Sequence, residues 1–79
     1  MTLDLLPQGV RARITGVDWS RLVPEEAQRL QALGVDEGAT VSVARRGVFS
    51  GKDPIALSIG RMTVALRRAH AQAIEVQWL

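Results

Sequence analysis

The sequence predicts a mainly β fold: a small five-stranded SH3-like barrel with one short α-helix inserted after the first strand. Three observations carry this. Apolar and polar residues alternate in several short runs, the period of a half-buried strand. Only one substantial run, residues 24–33, takes helical spacing instead. The chain has 79 residues, so it is expected to form one domain, residues 1–79, with a small core. An open sheet of that size leaves its edges exposed, and closing it into a barrel removes most of them.

The elements follow in order. In "VRARITGV", Val10, Ala12 and Ile14 share one face while Arg11, Arg13 and Thr15 share the other, with Gly9 as the turn before them. "VPEEAQRLQALG" then opens a helix. Pro24 suits the first helical position, where an N–H has no partner to lose. Glu25 and Glu26 sit where the helix dipole favours negative charge. Ala27, Leu30 and Leu33 form a short apolar stripe, and Gly34 supplies a left-handed end. A helix of about three turns is unstable alone and must pack on the sheet.

"ATVSVARR" is the second strand, with Val41 and Val43 on one face. "GVFSGKDP" is a loop, broken by Gly47, Gly51 and Pro54. "IALSI" places Ile55, Leu57 and Ile59 inward, and Gly60–Arg61 reads as a tight hairpin turn. "MTVALR" returns with Met62, Val64 and Leu66 expected inward. "RAHAQA" lacks alternation and is read as one helical turn at a corner. "IEVQW" ends the sheet with Ile74, Val76 and Trp78 on one face. The early helix favours an SH3-like barrel over an OB-fold, whose helix usually comes between strands three and four.

Composition narrows the function. No cysteine is present, so there is no disulfide framework, thiolate nucleophile or thiolate metal site. The opening "MTLDLLPQG" has no basic region or long apolar core, so it is not read as a signal peptide. No stretch of about 18 apolar residues exists, so no membrane insertion is expected. A cytoplasmic domain is expected. The net charge of +2 hides an asymmetry: residues 1–38 hold four arginines against six acids, and residues 39–79 hold six bases against two acids. The basic second half favours an acidic partner through its field.

The order of short motifs resembles the FeoA family. Leu30, Leu33, Gly34, Val35, Gly38, Val41 and Val43 form "L-x-x-L-G-V-x-x-G-x-x-V-x-V". Asp53-Pro54-Ile55 follows, then Gly60 with Ala65-Leu66-Arg67, then Ala71, Ile74 and Val76 as "A-x-x-I-x-V". The opening Leu3, Leu6 and Gly9 also look like that family's start. His70 departs from the pattern, which commonly has an acid before the alanine. The resemblance implies an SH3-like barrel without enzymatic activity or cofactor, an accessory protein of bacterial ferrous iron uptake. Its implied partner is the FeoB transporter, with a cytoplasmic GTP-binding region. The barrel also resembles the C-terminal domain of DtxR-type repressors, so the alternative is a nucleic-acid-binding or repressor-type interaction module.

The residues themselves support no catalytic or metal centre. His70 has no second histidine and its nearest acid in sequence is Glu75, too few ligands for iron. It is read as a solvated corner histidine. Ser50 and Ser58 lie in no nucleophile motif. Gly51-Lys52 is followed by Asp53, where a phosphate-binding loop has Ser or Thr. Two tryptophans, one phenylalanine and no tyrosine are too few stacking groups to expect nucleic acid. Trp19 and Phe49 lie in loops, either covering the core or standing as anchors. Arg67 is expected to bond the carbonyls of the corner, leaving Arg68 to water. Candidate partner-binding residues are therefore Arg45, Arg46, Phe49, Lys52 and Arg68. A homo-oligomer through the "VQWL" edge remains an open expectation.

Overall fold

A computed structural model describes residues 1–47 and 53–79. Five strands form one antiparallel sheet: β1 (Arg11–Val17), β2 (Thr40–Arg45), β3 (Ile55–Ile59), β4 (Met62–Leu66) and β5 (Ile74–Trp78). Helix α1 (Pro24–Ala32) lies between β1 and β2, and a single turn, α2 (Arg68–Ala71), makes the corner before β5. Short 3-10 turns at Leu3–Leu5 and Trp19–Arg21 complete the chain.

The sheet order is β4-β3-β2-β1-β5. Bulges interrupt the β1–β5 ladder between Ile14 and Gly16, and the β2–β3 ladder between Val43 and Arg45. A bulge adds a residue to one strand and increases its bend and twist. The whole molecule measures 28 × 26 × 24 Å.

Curling stops short of closure. Among the described residues β4 and β5 do not pair, and they remain the two edges of the sheet. The small mainly β fold is as expected, but the closure expected to remove most of the edges is not reached. The β5 edge is covered differently, by the N-terminus. Thr2 bridges to Glu75, and the Val76 N–H donates to the Met1 carbonyl at 2.8 Å.

The core follows the alternation. Ala12, Ile14, Val41, Val43, Ile55, Leu57, Val64, Leu66, Ile74 and Val76 are buried from the strands, and Leu30 is buried from α1. Leu3, Leu6 and Val35 join them from outside the sheet and helices α1 and α2. Gly34 ends α1 at φ +91°, the left-handed conformation that favours glycine. Two residues expected inward are not. Met62 is 44% exposed and Trp78 is 54% exposed. Each lies at a strand end: Met62 flanks the β3–β4 turn, and the Trp78 indole N–H donates to Met1 Sδ. Trp19 is partly buried against the core.

Candidate functional site

The main cleft of the described molecule, about 680 Å³, lies beside the β4 edge. Glu26 and Arg29 of α1 form one wall. Asp53 and Pro54, leading into β3, form another. Ala65, Leu66, Arg67 and His70 bring in the end of β4 and the α2 corner.

Glu26 and Arg29 are one helical turn apart, so their side chains meet. Arg29 Nε donates to Glu26 Oε2 at 3.1 Å, and Nη2 donates to Oε1 at 2.6 Å. This fork is a strong geometry for carboxylate recognition. Arg29 Nη2 also donates to the Ala65 carbonyl at 3.2 Å, tying α1 to β4. The Arg29 hydrogen bonds hold the Glu26 carboxyl below its ordinary range, against an opposing push from burial. Coulombic attraction from Arg29 first, and from a protonated His70 after it, adds to the lowering.

His70 is not a solvated corner residue. Its side chain is half-buried, with Nδ1 3.5 Å from Glu26 Oε1. That nitrogen is buried and makes no hydrogen bond among the described residues. Sequence spacing pointed to Glu75 as the nearest acid, but the fold brings Glu26 instead. Among the described residues no three histidine, aspartate or glutamate side chains converge as metal ligands.

The α2 corner is held differently from expectation. Its need is partly for an acceptor: Asp53 Oδ1 receives the Arg68 backbone N–H at 2.6 Å. The Gln72 carbonyl at the end of α2 is served by Arg21 Nη1 at 3.2 Å, not by Arg67. The guanidiniums of Arg67 and Arg68 make no hydrogen bond or ion pair among the described residues, and both residues are exposed.

The sequence-predicted surface residues are scattered. Arg45 is exposed at the end of β2. Arg46 is half-buried, and its guanidinium donates to the carbonyls of Asp4 (2.9 Å) and Leu6. It thereby fastens the N-terminal 3-10 turn to β2. Phe49 and Lys52 lie outside the described residues. Arg68 is exposed at the first position of α2. Arg61, Arg67 and Arg29, not singled out as candidates from sequence, form the cationic surroundings of β4.

This geometry defines a class: a small SH3-like β domain with an apolar interior and a charged cleft at its open side. The FeoA domain model matches residues 1–77. The solution structure of the FeoA protein from Chlorobium tepidum is 34% identical with a TM-score of 0.84, covering all of this chain and 70% of that one. Iron(II) transport protein A from Clostridium thermocellum is 29% identical with a TM-score of 0.83, covering all of this chain and 46% of that one. FeoA of Stenotrophomonas maltophilia, solved with zinc, is 30% identical with a TM-score of 0.77, covering 98% of this chain and 89% of that one. That protein is described as an SH3 domain protein, suggested to act as a ferrous iron transport activating factor. No curated protein matches the sequence. The chain belongs to the FeoA family, which is associated with ferrous iron transport.

Proposed function

We propose that the chain is a non-enzymatic, cytoplasmic accessory module of ferrous iron uptake that docks on the cytoplasmic GTP-binding region of a FeoB transporter. The observation that carries this reading, beside family membership, is the division between interior and surface. Every buried residue described is apolar, so the interior is architecture and recognition falls to the surface. There Arg61, Arg67 and Arg68 are exposed without an ion partner among the described residues. The module acts by differential binding: it shifts the transporter only by as much as it prefers one of its states. The role suggested for the Stenotrophomonas maltophilia relative, a ferrous iron transport activating factor, supports the same reading.

The test is ferrous iron uptake in cells that carry the transporter, with the gene for this chain removed and then restored. The proposal expects uptake to change on removal and to recover on restoration. Identical uptake in all three strains contradicts it.

A further inference from the structure

We infer that β4 is a docking edge, at which an extended, acidic segment of the partner protein adds as a further strand beside Thr63 and Ala65. The inference rests on the docking reading above and names the surface and chemistry it would use.

The β3–β4 ladder runs without a bulge from Ile55↔Leu66 to Ile59↔Met62, unlike the β1–β5 and β2–β3 ladders. Its two-residue turn has Gly60 at φ +58°, the first-position glycine of a II′ hairpin. In such a hairpin the closing pair, Ile59 and Met62, exchange hydrogen bonds, and the pairs then alternate. Val64 and Leu66 therefore turn their backbone groups toward β3, and Thr63 and Ala65 turn theirs to the free edge. The Ala65 carbonyl fixes this phase, since it accepts from Arg29 outside the sheet. Among the described residues no group outside the sheet reaches the N–H or C=O of Thr63 or the N–H of Ala65.

Such an edge is a template for another strand. The opposite edge of the sheet has already been covered by Met1 and Thr2; among the described residues β4 has no backbone cover, and Arg29 alone reaches it, at the Ala65 carbonyl. Thr63 and Ala65 are small and exposed, and Met62 offers an apolar contact at the rim. Arg29 takes one lone pair of the Ala65 carbonyl, so an incoming N–H either uses the second or displaces the guanidinium, which keeps its fork on Glu26.

Charge selects the occupant. Arg61 stands at one end of β4, with Arg67 and Arg68 at the other. The acids on this side are already engaged: Glu26 with Arg29 and His70, and Asp53 with the Arg68 N–H. The uncompensated charge is positive, which fits an acidic segment. A second copy fits poorly. Antiparallel self-pairing that sets Thr63 opposite Ala65 also sets Arg61 opposite Arg67, and like charges directly opposite are destabilising.

The test follows amide hydrogen exchange of the isotope-labelled full chain, alone and with the purified cytoplasmic GTP-binding domain of the transporter. Thr63 and Ala65 amides are expected to slow at least about tenfold in the complex as they gain partners. Thr63→Pro removes an outward N–H that the ladder does not use, and is expected to weaken binding about tenfold, the loss that corresponds to one good hydrogen bond. Arg61→Glu with Arg67→Glu is expected to weaken it further and to flatten its salt dependence. If Thr63→Pro does not fold, exchange in the unaltered chain still decides. Binding without slowed exchange at Thr63 and Ala65 overturns the edge and leaves the docking reading standing. Binding indifferent to both arginine reversals overturns the acidic partner, as does protection that grows with concentration of the chain alone. No association with the domain overturns both readings.

Discussion

Asp53 Oδ1 accepts the backbone N–H of Arg68 at 2.6 Å, so the residue leading into β3 caps the first turn of α2. This hydrogen bond ties the entry of β3 to the corner that separates β4 from β5, on one wall of the cleft. A carboxylate at a helix N-terminus satisfies an orphan donor and meets the positive end of the backbone dipoles. Replacing it with alanine exposes that N–H without a partner. Asp53→Ala is expected to lower stability by about 1 kcal/mol, the usual cost of a lost cap, with Asp53→Asn recovering part of it. Urea denaturation of the three proteins checks this.

Arg46 makes the corresponding prediction at the other end of the chain. Its guanidinium spans two carbonyls, those of Asp4 and Leu6, and holds the turn that seats Leu3 and Leu6 in the core. Arg46→Ala is expected to cost about 1.5–3 kcal/mol, the range of hydrogen bonds from a charged donor. Arg46→Lys is expected to recover little, because an ammonium lacks the planar fork. Denaturant unfolding gives the stability, and faster amide exchange at Leu5 and Leu6 shows where it was lost.

Ile14 is fully buried in β1, with its own N–H on the Ala39 carbonyl and its carbonyl on the Gly38 N–H, both at 2.8 Å. Ile14→Ala leaves a cavity and is expected to cost about 2–5 kcal/mol, whereas Ile14→Val costs about 0.5–1.5. For so small a domain the first loss approaches the whole stability. Circular dichroism at room temperature is expected to show Ile14→Ala largely unfolded and Ile14→Val folded.

Acid sensitivity follows from the fork in the cleft. The Glu26 carboxyl in the folded chain lies below its ordinary value of 4.5, through the Arg29 hydrogen bonds first and the nearby positive charges after them. A group with a depressed folded pKa stabilises the fold above its unfolded pKa, and that contribution is lost as pH falls through the folded value. Glu26→Gln is expected to be less stable than the original near neutrality. The difference should shrink as pH falls below about 4.5, as protonation makes the two side chains alike. Thermal melts across that range check the sign.

Much of the fold was legible because alternation is a local property. Ile55, Leu57 and Ile59 need only their own neighbours to declare a buried face, and Pro24 and Gly34 mark the ends of α1 within a few residues. Met62 and Trp78 obey the same alternation, yet alternation says nothing of where the core stops along a strand. Closure of the sheet was misread for a related reason: whether β4 meets β5 depends on accumulated twist and on what covers each edge. Met1 and Thr2 cover one.

The candidate site was less legible. The Glu26–Arg29 pair was readable from its helical spacing, although it was not singled out. His70 facing Glu26 was not, because α1 and α2 meet only through the folded sheet. Arg46 looked like a surface cation among cations, since a carbonyl acceptor leaves no mark in sequence. Arg67 and Arg68 were correctly placed at a corner. The corner's acceptor, Asp53, shows in the sequence only as part of a loop motif.

The account's central claim is that this chain works by docking on its transporter. Calorimetric titration of the purified chain into the transporter's cytoplasmic GTP-binding domain tests it most directly. A saturable heat with an affinity that falls as salt is raised is the result expected. Absence of any association, even at low salt where charge attraction is strongest, would contradict it.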